Sequence, residues 1–118
     1  MQRTEAGRAA EAAALAYLEK AGLRLLHRNY RCKVGELDLV MLDGTTLVLV
    51  EVRYRSSHRY GGAAASVTPR KQQRIINAAR HLLATHADLR RYPARFDVVA
   101  ISALQKEIQW IKGAFEVC

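Results

Sequence analysis

The stretch GELDLVMLDGTTLVLVEVRYR, residues 35–55, sets two apolar runs on either side of Asp43-Gly44. Period-two alternation in each run, with Asp-Gly between them, predicts a β-hairpin with strands over Glu36–Leu42 and Thr45–Tyr54. Side chains alternate along a strand, so Leu37, Leu39 and Met41 are expected on one face and Glu36, Asp38, Val40 and Leu42 on the other. In the second strand Val48, Val50, Val52 and Tyr54 share one face, and Leu47, Leu49, Glu51, Arg53 and Arg55 share the other. Two loop lengths fit. If Asp43-Gly44 is the whole loop, Leu42 pairs with Thr45, Glu36 stands opposite Glu51, and Asp38 is a diagonal neighbour of Glu51, ~7–8 Å away at the backbone. If the loop runs from Asp43 to Thr46, Asp38 lies directly opposite Glu51. Either loop gathers the carboxylates on one face.

Acidic side chains brought together at the half-buried end of a sheet repel one another and lose solvation, so the arrangement needs compensation. A divalent cation would supply it. Carboxylate oxygens suit Mg²⁺ or Mn²⁺, which also bind phosphate and acidify a coordinated water. Arg53, two residues beyond Glu51 and ~6.6 Å along the strand, would face that phosphate. The other reading is a solvent-facing ladder in which Glu36, Glu51 and Arg53 form ion pairs.

Outward from the hairpin, Thr4 precedes an Ala-rich segment whose apolar residues Ala10, Ala13, Ala14, Tyr17, Leu18 and Ala21 follow helical spacing until Gly22. A short extended segment, Leu23 to His27, leads into a basic connection, Arg28 to Lys33. After the hairpin, Arg55 to Ser66 reads as a basic loop. Thr68 and Pro69 then cap and open a second helix, with Ile75, Ile76, Ala79, Leu82 and Leu83 as its buried stripe to about His86. Strands at Arg95–Ser102 and Glu107–Ile111 complete the order helix, three strands, helix, two strands, within one expected domain over residues 1–118.

Nineteen Lys and Arg against eleven Asp and Glu leave a formal charge of +8, which favours a polyanion as partner. No apolar run approaches the ~20 residues of a bilayer span, and no charged-then-apolar signal opens the chain. A cytoplasmic protein without membrane association is expected. Cys32 and Cys118 have no Cys-x-x-Cys or histidine cluster beside them, so neither a disulfide framework nor a zinc site is indicated.

GELDL at 35–39 followed by VEVRYR at 50–55 resembles the D…ExK signature of the PD-(D/E)xK nuclease superfamily. More closely, the chain resembles the bacterial YraN-type family, whose members are predicted to be endonuclease-like and similar to archaeal Holliday-junction resolvases. The resemblance also rests on AALAYL at 13–18, RNYR at 28–31, Tyr60-Gly61, Lys71 with Arg74, and RFDVV at 95–99, which together span nearly the whole chain. It implies a restriction-endonuclease-like three-layer α/β fold with a central mixed β-sheet flanked by helices. It further implies Asp38, Glu51 and residue 53 as catalytic residues, and Asp38 and Glu51 as ligands of Mg²⁺ or Mn²⁺ with the Val52 carbonyl. Glu11 matches an acidic helix position in related resolvases and would hold the metal through water; otherwise it is an exposed helix glutamate.

The departure is Arg53, where the superfamily pattern has lysine. Arginine binds phosphate bidentately but stays protonated, so it cannot act as a base. Lys71 could supply an amine from the second helix or be a solvated surface charge. Lys33, Arg55, Arg59, Lys71 and Arg74 are the expected nucleic-acid contacts. Asp97 is expected to be structural, accepting backbone or arginine hydrogen bonds. Three functions follow: a metal-dependent endonuclease on branched or structured DNA, a non-catalytic nucleic-acid-binding domain, or a protein-interaction module. A homodimer is suggested by analogy with resolvases, which meet a symmetric junction.

Overall fold

Thr4 Oγ1 accepts a hydrogen bond from Gly7 N (2.9 Å), which supplies a partner to one of the amides left over at the start of α1 (Glu5–Lys20). The helix ends where Gly22 takes φ 103°, a left-handed conformation that glycine adopts readily. Leu23 N then bonds Leu18 O and Gly22 N bonds Glu19 O, the paired closure of a Schellman motif, with Leu18 and Leu23 both buried. A computed structural model describes residues 4–55, 67–102 and 107–117 of the chain. The remaining elements are β1 (Arg24–Cys32), β2 (Gly35–Asp43), β3 (Thr46–Arg55), α2 (Pro69–Thr85), a 3-10 turn (Ala87–Arg91), β4 (Ala94–Ser102) and β5 (Ile108–Phe115). Their order is the one expected.

The five strands form one mixed sheet in the order β1-β2-β3-β4-β5. Only β3 and β4 are parallel, and α2 lies in the crossover that a parallel pair requires. On one face Ala10, Ala14 and Leu18 of α1 pack on Leu39, Met41, Val48, Val50, Val99 and Ile101. On the other, Ile75, Ile76, Ala79 and Leu82 of α2 pack on Val40, Leu42, Leu47, Leu49 and Val98. The fold is thus α/β, with a helix on each side of the sheet.

Two expectations are corrected, and of the two hairpin registers one is found. The presumed connection Arg28–Lys33 is mostly strand: β1 continues to Cys32, which pairs with Gly35 and leaves only Lys33-Val34 in the turn. Its alternation was hidden because one face of this edge strand is wet, carrying exposed Arg28 and Arg31, while Tyr30 and Cys32 lean on the α2 core. In the hairpin, Leu42 pairs with Leu47 and Asp43 with Thr46, so the register is that of the longer expected loop, closed further to Gly44-Thr45. Leu37 joins the α2 core and not Leu39 and Met41. The break in alternation coincides with Asn29, which has φ 57° at the ladder position facing Asp38. The expected basic loop over 56–66, including Arg59, lies outside the described residues.

Gly35 sets how closely α2 docks. A Cβ at this position would come within 2.3 Å of the Arg74 carbonyl oxygen, so only a hydrogen lets the β1–β2 turn meet the helix backbone. Gly35→Ala is expected to lower stability by about 1–3 kcal/mol through overpacking, read by thermal denaturation. An unchanged midpoint would show that α2 can shift outward freely.

Candidate active site

The β2–β3 ladder ends at the Leu39–Val50 pair, and Asp38 and Glu51 are the next residues beyond it. There Asp38 Oδ2 accepts the Val52 backbone N–H (2.8 Å), so the side chain takes over from the strand. Both carboxylates are buried, at 5% and 4% exposure. Lys71 reaches down from the first turns of α2 to bring Nζ 3.5 Å from Glu51 Oε2, and Arg53 Nη1 lies 3.7 Å from the same oxygen. Two cations therefore converge on one buried oxygen.

Their attraction does not offset the setting of the carboxylate. Burial first, then the charge of Asp38 and a hydrogen bond to it, push the Glu51 carboxyl up to about 8, against the pull of Lys71 and Arg53. At neutral pH Glu51 thus retains its proton. The unfolded chain releases that proton near the ordinary value of 4.5, so folding takes up a proton between the two values. Stability is accordingly expected to fall as pH rises from about 4.5 to about 8, by an amount on the order of a few kcal/mol, and then to level off. Glu51→Gln, which keeps a donor toward Asp38 and cannot ionise, should flatten this dependence in thermal melts across that range. An equally steep fall in the variant would assign the proton elsewhere.

The other candidates are dispersed. Glu11 is buried on α1, and its Oε1 accepts from Arg28 Nε at 3.0 Å. It is neither an exposed helix glutamate nor joined to the acid pair: among the described residues no three carboxylate, imidazole or thiol groups are placed to hold one metal ion. Glu36 pairs with Arg31 at 3.2 Å. Lys33 is exposed in the β1–β2 turn, and Arg55 ends β3. Arg74 lines a cleft of about 740 Å³ beside Lys71. Sequence reasoning missed Arg28 as the partner of Glu11. It also missed Asn29, whose buried Oδ1 has no hydrogen-bond partner among the described residues.

The oxygen donors suit a hard divalent ion: Asp38 and Glu51 are both buried, and the buried Asn29 oxygen, on the strand that pairs with that of Asp38, has no hydrogen-bond partner among the described residues. Asp97 has a different role. Fully buried, it accepts Arg95 Nε at both oxygens (3.0 and 3.2 Å), Trp110 Nε1 (2.9 Å) and Gly113 N (3.0 Å). Burial opposes the charge on Arg95, but hydrogen bonds to Asp97 and Asp43 override it and raise its pKa.

Strands β1 to β3, α2 and the acid pair fall within residues 10–101, the region matched by the model of uncharacterised protein family UPF0102, which leaves out the start of α1, the last residue of β4 and all of β5. The chain belongs to this family. A UPF0102 protein of Stutzerimonas stutzeri is 56% identical over 112 residues, covering 93% of each chain. One from Pseudomonas putida is 53% identical over 116 residues, covering 96% of this chain and 94% of its own. One from Nitrosomonas europaea is 52% identical over 111 residues, covering 93% and 92%. UPF0102 membership thus extends over nearly the full length, and no helix among the described residues is long and apolar enough to cross a membrane.

Proposed function

We propose that this chain is a metal-dependent phosphodiesterase acting on nucleic acid, with a nuclease-like site of the PD-(D/E)xK type on its mixed sheet. The observation that carries the reading is the convergence of Lys71 and Arg53 on Glu51 beside buried Asp38. Asp38 and Glu51 would hold Mg²⁺ or Mn²⁺, which when bound would neutralise phosphate charge and acidify water. Lys71 and Arg53 would bind the phosphate, Arg53 through its planar fork and Lys71 as a point charge from the opposite element. A basic chain, at +8, suits the polyanion. The test is incubation of junction, duplex and single-stranded DNA with Mn²⁺, beside calorimetric titration of the metal. Metal binding with cleavage supports the reading, and the absence of both sinks it.

One observation favours a second reading, a nucleic-acid-binding domain without catalysis. The Glu51 proton, with Lys71 and Arg53 beside it, already limits the buried acid charge, so the pair persists without a metal. Binding with a steep salt slope and no cleavage would select it.

Position 53 separates two versions of the chemistry. If the metal activates water and Arg53 only holds phosphate, Arg53→Lys should change cleavage by less than about tenfold, under 1.4 kcal/mol of barrier. If a removable proton at residue 53 is required, the native chain should be inactive and Arg53→Lys should create cleavage. We favour the first, because Lys71 already places an ammonium group at Glu51. Initial rates for the two proteins decide the question.

A further inference from the structure

Beside the acid pair, but not lined by it, lies the cleft of about 740 Å³ between the β1–β2 turn and the starts of α1 and α2. Arg31, Arg70, Lys71 and Arg74 line it, with Glu36 as the one carboxylate, and Glu36 is already paired with Arg31. Among the described residues no ion pair is formed by Arg70 or Arg74.

The placement of these cations is unfavourable for the helix that carries them. The N-terminus of a helix bears partial positive charge and favours acidic residues. The first turn of α2 has none, whereas α1 opens with Glu5. Arg70 and Arg74 are also four residues apart on one helix face, where like charges repel. An anion in the cleft would reverse both effects. Its volume falls within the range of small-molecule sites, so a phosphate can enter with a nucleoside attached.

We propose that this cleft is a subsite for a phosphomonoester dianion, formed by Arg31, Arg70, Lys71 and Arg74. An internal diester phosphate carries one negative charge, whereas a terminal phosphate carries roughly −1.5 to −2 at neutral pH and presents three strong acceptor oxygens. The terminal group therefore makes fuller use of several guanidinium forks. Lys71 both lines the cleft and contacts Glu51, so the subsite and the acid pair are one side chain apart. A strand whose end is held in the cleft would present a linkage near that end to Asp38 and Glu51. This source of the dianion rests on the nucleic-acid reading above; free phosphate or a mononucleotide is the other source.

The test compares three oligonucleotides of one sequence, bearing a 5′-phosphate, a 3′-phosphate or hydroxyls at both ends, by fluorescence anisotropy at one salt concentration. The native chain is set beside Arg70→Gln, Arg74→Gln, whose altered side chains are exposed, with circular dichroism as a check on folding. Inorganic phosphate is titrated separately and followed by amide chemical shifts. One phosphorylated strand should bind at least about tenfold more tightly than the hydroxyl strand, and the double variant should lose that preference. Equal affinity for all three strands, with no phosphate-induced shifts in the cleft, would overturn the subsite and leave the nucleic-acid reading standing. Phosphate shifts in the native chain alone, with no strand bound, would uphold the subsite for free phosphate and overturn the nucleic-acid reading. No response to any probe would overturn both.

Discussion

Asp38→Asn combined with Glu51→Gln is expected to remove Mn²⁺ binding and to lower any cleavage by at least about 10³-fold, beyond the loss typical of one electrostatic stabiliser. The amides keep the shapes of the two side chains and an oxygen acceptor for Val52 N, which Asp38 Oδ2 holds at 2.8 Å. What they remove is charge, and a neutral amide is a poor substitute ligand for a hard cation. The variant also lacks the burial penalty on the Glu51 charge and its repulsion by Asp38, so it should be at least as stable as the native chain above pH 8. That stability separates a lost site from a lost fold. Calorimetric titration is the measurement, and equal Mn²⁺ binding by native and variant chains would remove Asp38 and Glu51 from the metal site and the proposed chemistry with them.

The second large effect is expected at Asp97 and concerns folding. Asp97→Ala leaves Arg95 Nε, Trp110 Nε1 and Gly113 N without their shared acceptor in a fully buried position. Removing one partner of a buried ion pair typically costs about 3–5 kcal/mol, because the other charge stays behind. Arg95 retains Asp43 at 2.8 Å, which places the loss toward the lower end. A fall in Tm on the order of 15 °C is expected, with Mn²⁺ affinity unchanged in the chain kept folded at low temperature. Loss of metal binding at native stability would overturn the structural role.

The local signals were legible because they act over a few residues. Thr4, Gly22 and Thr68-Pro69 mark helix ends through their own backbone chemistry, and Asp43-Gly44 marks the hairpin. The acid pair followed from strand alternation, with the register left between two values that differ by one pair of residues. What could not be read depends on contacts between distant elements. Lys71 looks like any solvated helix lysine until Gly35 lets α2 settle against the β1–β2 turn and bring Nζ to Glu51. Arg28 and Arg31 made an edge strand resemble a loop, since charge on its wet face masks the apolar face beneath. The altered orientation of Leu37 coincides with Asn29 at φ 57° in the neighbouring strand, and an asparagine in sequence does not announce which conformation it takes.

The sheet order separates two timescales of assembly. β1, β2 and β3 follow one another through the two-residue turns Lys33-Val34 and Gly44-Thr45, so Asp38 and Glu51 can meet through short loop closures. β4 joins β3 only after the crossover through α2, and the Asp97 network then ties it to β5 and, through Arg95, to Asp43. Short closures precede long ones when loop entropy sets the pace. Stopped-flow measurements on Asp97→Ala are therefore expected to show faster unfolding with a refolding rate close to native, the pattern of contacts formed after the barrier.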